Sequence, residues 1–541
     1  MRKIFCIVFL LVSVTAMGQD QEVIKAAMCL SGAGSEEELD ASIVELLESR
    51  KGRPVYVNSN SLKASAILSH YQVAVIKDYR GRCGDILSWE ELSMLEGFSR
   101  ADVEALRPFL SLYSSKLPGA ADTVRTKAQV LMRATLTSAG GKAKVMGRRW
   151  QAGGAVRCGE KFRKWDGTFF GEASIGNFTL WAGDYKLRFA EGLALWTGFS
   201  MENLSTVDAF VKRAQGISPV WSYSSSGVQR GLAAEYSGAR WRASAFASFD
   251  KTIGARAEYL GRRFQAGLTA ATLPSAPYMI SADAKLNLRG TLISGEAAFG
   301  NGTFAGKIAI VAPLGEQFRM ALQGRIIPSK YSGKKYGEYA LAGGLDYRGK
   351  KLQASLTADA SLLPIPAKDP GRVQVRSYAR VLWKASDCWS FEGRITERYR
   401  NYERPRTALR LHCGFTSGPW NANARGETVW CEQAGLLGYL EGGYKTDNLA
   451  AWLRFTGFNA TKWNDRIYVY ERDAPGTFNV PAYYGKGCAI ALVGNWKHRF
   501  RYLTIKAYVR GAYTFKNGSV PAPVLNVSLL SDVAPRKSYR P

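Results

Sequence analysis

The feature that most constrains this chain is a two-residue alternation that begins near Lys127 and recurs to the C-terminus. In residues 240–249, Trp241, Ala243, Ala245, Ala247 and Phe249 share one side, while Arg240, Arg242, Ser244 and Ser248 stand on the other. Successive strand residues point to opposite faces of a sheet, so the pattern is that of a strand with one apolar and one polar face. Leu352, Ala354, Leu356 and Ala358 alternate with Gln353, Ser355, Thr357 and Asp359, and Ala282, Ala284 and Leu286 with Asp283, Lys285 and Asn287. Leu503, Ile505, Ala507 and Val509 alternate in the same way with Thr504, Lys506, Tyr508 and Arg510. About 20–24 such stretches, each of roughly ten residues, predict a large antiparallel transmembrane β-barrel over 127–541. Short turn signals join many of them, such as Ser237-Gly238 and Arg348-Gly349-Lys350.

A soluble all-β solenoid or multi-sandwich protein also alternates. Three features favour the membrane. The stretches match the length of a tilted spanning strand. Tyrosine and tryptophan cluster near their ends, as interfacial girdles require. The apolar face is rich in Ala and Gly, which suits lipid better than a water-excluding core. The longest connection, 197–227, is expected to cover the mouth or fold inward. Pro521 and Pro523 interrupt the approach to 524–530, so the alternation does not decide whether the last residues complete the barrel.

The first 126 residues read differently. Arg2 and Lys3 precede an apolar run too short to span a bilayer, so residues 1–18 are expected to be a secretory signal. No later window is long and apolar enough for a membrane helix. Residues 19–112 carry helical signals and are expected to form a small periplasmic domain. Ser35 followed by Glu38 reads as a capping box, and Glu36-Glu37-Glu38 as a solvated helix start. Ser61, the Val73/Ile76/Tyr79 set, 89–95 and 101–107 mark further helices, the last closed by Pro108. A stretch rich in small residues, Pro and Gly makes 113–126 a linker.

Within 57–110, the runs Val57-Asn58-Ser59-Asn60-Ser61-Leu62, Leu68-Ser69-His70-Tyr71-Gln72, Tyr79-Arg80 and Leu95-Glu96-Gly97-Phe98-Ser99 resemble the tandem helix-hairpin-helix domain of competence DNA receptors. With the barrel behind it, and with Gly183-Asp184-Tyr185 and Gly192-Leu193-Ala194-Leu195-Trp196-Thr197-Gly198-Phe199 at an early strand, the chain is similar to helix-hairpin-helix outer-membrane β-barrel proteins of Bacteroidetes-type bacteria. The resemblance implies two hairpins whose glycines let a phosphate approach backbone amides. The corresponding positions here are His70, Gln72, Gly97 and Ser99. Three of the four glycines are absent, so phosphate binding does not carry over.

Charge divides the chain. The net value is +28 over 541 residues, but 19–115 hold 10 Lys and Arg against 15 Asp and Glu, and the excess falls on 116–541. An acidic module is a poor ligand for phosphate backbones. On the polar strand faces stand Arg240, Arg242, Lys285, Arg376, Arg380, Arg410, Arg454, Lys506 and Arg510. Charge at the lipid midplane costs about 2–4 kcal/mol, so these residues are expected to line a basic lumen. Two readings follow. The lumen favours an anionic solute, or its arginines pair with Asp283, Asp359, Glu392 and Glu397 in a network that fills a closed barrel while other cations meet lipopolysaccharide phosphates. The partners expected are outer-membrane lipid, a periplasmic protein, an anionic solute and, through the hairpins, nucleic acid.

No phosphate-binding loop or His-Glu-x-x-His stands in the chain, and His70, His412 and His498 are isolated, so the expectation is a protein without enzymatic activity, metal or cofactor. Seven Cys follow the leader with no repeated spacing, Cys29 and Cys83 being the pair considered for a bridge. Asp122-Thr123-Val124 resembles the O-glycosylation motif of Bacteroides-type exported proteins.

Overall fold

A computed structural model of the chain describes residues 21–50, 54–59, 62, 67–114, 126–147, 149–159, 161–198, 203–261, 263–274, 276–332, 337–365, 369–474, 477–518 and 522–533. The leader expected at 1–18, most of the expected linker with its Asp122-Thr123-Val124 motif, and Ser61 lie outside them.

Among the described residues, 24 strands close into one antiparallel barrel running from Lys127–Thr135 to Ala522–Val533. The ring shuts where these two strands pair, Leu131 opposite Leu530 and Arg133 opposite Ser528. The segment after residue 521 therefore completes the wall, with Pro523 near its start, where a missing N–H is tolerated. An even strand count returns the chain to the end at which it entered. Connections at that end are turns of two to four residues. At the opposite mouth lie two long connections, 189–228 and 461–484.

The alternation holds along the wall. In Ala434–Lys445 and Leu449–Ala460, Leu436, Leu440 and Phe455 are exposed, while Leu437, Glu441, Arg454 and Phe458 are buried. The outward set continues around the ring through Leu232, Leu268, Ile308, Leu341, Leu356 and Leu411 as an apolar belt. Such a belt is stable against hydrocarbon, not against water. Ring pairs line the short-turn rim: Phe178 with Tyr236, Trp241 with Tyr259, Phe318 with Tyr347, Trp389 with Phe415 and Trp420 with Tyr444. These amphipathic rings form the interfacial girdle of a membrane barrel.

Among its described residues the N-terminal segment forms five short α-helices: α1 (Gln21–Ser31), α2 (Ala41–Arg50), α3 (His70–Cys83), α4 (Trp89–Ser93) and α5 (Arg100–Leu106). Ser69, Ser88 and Ser99 each cap the following helix, with Gln72, Glu91 and Asp102 closing the capping box. Val44, Leu47, Leu68, Ile76, Leu92, Leu106 and Phe109 pack into one core, which also takes Tyr470 from the second long connection. The box expected at Ser35 does not form. Ser35 precedes a 3-10 turn, Glu36–Glu38, without a side-chain cap, and α2 begins only at Ala41. The seven described cysteines are free thiols; Cys83 is exposed and Cys29 bonds Asp102 Oδ1 at 3.2 Å, so the considered bridge is not made.

Candidate functional site: a filled lumen

A 24-strand ring encloses a lumen too wide for wall side chains alone to fill. The helical segment occupies it. Polar contacts reach wall strands on all sides: Glu45 to Lys142 at 3.2 Å, Asp40 to Arg188 at 2.8 Å, Tyr71 Oη to Asn287 at 3.0 Å, and the Gly34 carbonyl to Tyr378 Oη at 3.0 Å. Glu37 lies between Arg410, at 3.0 Å, and Arg425, at 2.5 Å. The placement expected for this segment, a periplasmic module beside the barrel, gives way to a plug within it. Glycine matters at one of these contacts. A Cβ on Gly34 would stand 2.7 Å from Tyr378 Oη and 2.8 Å from Ser205 Cβ, so only glycine lets the chain approach the wall here.

The three acidic residues read as solvated sit instead in a ring of arginines. Burial alone would raise the Glu37 carboxyl, but Arg410 and Arg425 hold it well below the usual range. Glu36 behaves oppositely. Burial and the neighbouring Glu37 push it up to about 7 against Arg472 and Arg454. Glu38 accepts from Gly34 N at 3.0 Å and from Ser205 Oγ at 2.8 Å, a partner in the first long connection.

Both long connections fold inward. Wall residue Glu296 accepts from the amides of Glu191, Leu193 and Ala194 at 3.0, 2.9 and 3.1 Å. Glu191 in turn meets Lys307 at 3.0 Å and Lys285 at 3.3 Å; burial would raise its carboxyl, but these cations hold it at about 2. Asp208 pairs with Arg319 at 2.8 Å. From the second connection, Glu471 pairs with Arg510 and Asp473 accepts from Asn526.

The basic residues named from sequence can now be placed. Arg242, Lys285, Arg376, Arg380, Arg410, Arg454, Lys506 and Arg510 all lie on the inner face. Arg242 pairs with Glu258, Arg380 with Glu392 at 2.6 Å, Arg454 with Glu441 at 2.6 Å, and Lys506 with Asp532 at 3.2 Å. Lys285 also donates to the Lys212 carbonyl at 2.9 Å, and Arg376 to Asn203 Oδ1 at 3.3 Å. Arg240 stands apart, exposed in a short turn rather than on a strand. Of the carboxylates expected to pair inside, Asp283 meets Arg256 at 2.7 Å and Asp359 meets Arg325 at 2.8 Å. Glu397 does not; it is exposed on the outer face of its strand. The acidic partners that sequence reasoning missed, Glu37, Asp40, Glu45, Glu191, Asp208 and Glu471, come from the helical segment and the long connections. For Glu37, Asp40 and Glu45 the one signal was the acidic balance of 19–115 beside a basic wall.

The four positions named from the resemblance lie together against protein. The Gln72 side-chain amide donates to the Gly97 carbonyl at 2.8 Å, Gly97 has φ +80 with Tyr71 packed against it, and Ser99 caps α5. His70 begins α3, and its side chain lies outside the described set. Arg213, from the first long connection, donates to Gln72 Oε1 at 2.7 Å and to the Ile67 carbonyl. A cation of the chain itself therefore stands beside Gln72. Beside it, a cavity of about 560 Å³ separates plug from wall, lined by acidic and basic groups alike, among them Asp102, Lys212, Arg256, Asp283, Lys285 and Arg319.

No family model matches this chain, and no curated protein matches it. Among solved structures, it is similar to the FrpB iron transporter from Neisseria meningitidis in its apoprotein form, at 8% identity over 77% of this chain and 82% of that one, with a TM-score of 0.37. It is also similar to the P pilus usher PapC translocation pore, at 8% identity over 75% and 98% with a TM-score of 0.36, and to the copper transporter OprC, at 10% over 77% and 81% with a TM-score of 0.33.

Proposed function

We propose that the chain is an outer-membrane uptake component for anionic solutes, closed at rest by its own N-terminal segment and opened when that segment leaves the lumen. The observation that carries this reading is Glu37 held between Arg410 and Arg425. The plug is seated by charge pairs rather than by a continuous apolar interface with the wall. Displacing it exposes arginines that favour anions. Short turns mark the periplasmic end and the long connections the outside, the usual polarity of such barrels.

Planar-bilayer recording tests this. The intact protein should be silent and E37K should open to an anion-selective conductance; a closed or cation-selective E37K pore overturns the reading.

A second reading, a scaffold whose helical segment docks a periplasmic protein, rests on Leu87 and Met94, which stay 68% and 85% exposed on the helical segment. Nucleic-acid binding through the hairpins is disfavoured by the acidic balance and by Arg213 beside Gln72. Salt-sensitive binding of DNA to the intact protein, lost in R100E/R107E, would restore it.

A further inference from the structure

The apolar belt is not even all the way round: its outward face holds a cavity of about 1120 Å³. On the neighbouring strands Trp420–Trp430, Ala434–Lys445 and Leu449–Ala460, Gly426 stands opposite Gly438 and Gly438 opposite Gly457. Cys488, on Gly485–Arg499, faces Gly457 and extends the row. Phe391, Leu411, Leu440, Phe455 and Ile490 stand around this floor. At about 4.8 Å per strand, the floor runs roughly 14 Å around the wall. It rises from the middle of its strand at Gly426 to Gly457, three residues from the end of Leu449–Ala460 at the mouth of the long connections.

The wall itself does not need these glycines. A Cβ on Gly426 or Gly457 would meet nothing within 4 Å, one on Gly438 only the Arg425 carbonyl at 3.7 Å, and none of the three has a positive φ. Inward glycines of the same sheet differ: a Cβ on Gly487 would stand 2.0 Å from the Phe515 carbonyl. The other outward strand glycines with open space, Gly306, Gly442 and Gly511, each face residues with side chains on both neighbouring strands. Glycine inside a strand weakens it and marks a place where something else approaches the backbone closely.

The chemistry of the cavity says what approaches. Strand alternation turns the side chains of Glu392, His412, Arg425 and Thr456, which lie behind it, into the lumen. What remains outside is hydrocarbon and the thiols of Cys413 and Cys488, weak hydrogen-bonding groups. Such a surface takes an apolar chain, and polar backbone would be left unsatisfied on it. Polar groups stand at the upper end alone. Lys486 is exposed two residues before Cys488 on the same outward face, directly opposite Asn459. An ammonium and an amide at the edge of the belt suit a phosphate at headgroup depth.

We propose that this cavity is a lipid site: an acyl chain lies over Gly426, Gly438 and Gly457, and the phosphate of its headgroup meets Lys486. The site belongs to the lipid-facing wall and is independent of whether the plug leaves the lumen.

Native mass spectrometry of the intact protein, stripped of lipid in neutral detergent, tests it with dipalmitoyl phosphatidylglycerol and dipalmitoylglycerol as separate probes. Wild type should retain one molecule of the phosphatidylglycerol and less of the phosphate-free diacylglycerol. G426L/G438L/G457L, which fills the cavity, should cut retention of both roughly tenfold or more. G442L, on the same face outside it, should not. K486Q should bring the first probe down to the level of the second. Open space at all three positions admits leucine without moving the wall. If the triple variant still fails to fold, G438L takes its place in the same measurement. Equal retention by wild type and leucine variant, or no discrete lipid mass on wild type, overturns the proposal. A doubled protein mass that the leucine variant loses also overturns it, and gives the cavity to a second copy of the chain. Equal retention of the two probes by wild type overturns the role given to Lys486.

Discussion

The Glu37 carboxylate lies 3.0 Å from Nη1 of Arg410, joining a helical turn near the start of the chain to a strand 373 positions later. Both side chains are more than nine-tenths buried, and each has a second partner: Arg425 for Glu37, Glu427 for Arg410. Breaking one member of a buried charge network leaves the others uncompensated.

Glu37→Gln should therefore loosen the plug by about 3–5 kcal/mol, the usual cost of removing one partner from a buried pair, and E37K by more. Limited proteolysis in detergent would show it as faster cleavage within 21–114 at unchanged barrel mobility on a gel. The double variant E37Q/R410Q should be less damaging than the sum of the single ones, because the two residues act on one network.

Docking should also depend on pH, with a sign fixed by Glu36. When the plug is docked this carboxyl is raised to about 7, while a free one titrates near its ordinary value of 4.5. A raised acid binds its proton more tightly in the docked state. It contributes docking stability below the ordinary value and loses that contribution as pH rises through about 7. Glu37, lowered, stays ionised throughout this window. Hydrogen exchange of amides 36–47, corrected for intrinsic pH dependence, should be faster at pH 8 than at pH 6. Glu36→Gln should flatten the difference; a wild-type profile already flat between these values contradicts the assignment.

The barrel was legible from residues 240–249 and their repeats, because a wall with lipid on one side and polar groups on the other imposes a strict period of two. The same period already separates Glu397 from Glu392, Arg394 and Arg398, so its outward position was open to reading. Arg240 fell outside because the strand there begins one residue later, at Trp241, than the alternation suggests. The plug was legible only as a charge balance. Glu37 and Arg410 have no local signature of pairing, and Ser35 with Glu38 formed no capping box because Glu38 bonds Gly34 N and Ser205 instead. A tertiary contact took the carboxylate that the local motif required.

Glu296 should be the residue on which the first long connection depends. Its carboxylate accepts three backbone amides from Glu191, Leu193 and Ala194, donors that have no water to turn to in a packed lumen. Glu296→Ala orphans all three at about 1–3 kcal/mol each. The expected result is a connection that leaves the lumen wall while the barrel persists, read as new cleavage within 203–228 by protease added from the outer side. Glu296→Gln, which keeps an acceptor oxygen, should be much milder.

The membrane assignment predicts an asymmetry between substitutions at one outward position. Leu341 is 68% exposed near the middle of its strand, Glu338–Arg348, opposite Gly324 and Ala360. In water, an exposed leucine replaced by arginine changes stability by a few tenths of a kcal/mol or improves solubility. Against hydrocarbon, an arginine near the midplane costs about 2–4 kcal/mol, because its charge must reach headgroups or draw water inward. Leu341→Arg should therefore lower the urea midpoint of the bilayer-folded protein well below that of Leu341→Ala, while L437A, on the inner face, acts through lost packing alone. Equal midpoints for the arginine and alanine variants at position 341 would mean that this face does not meet lipid.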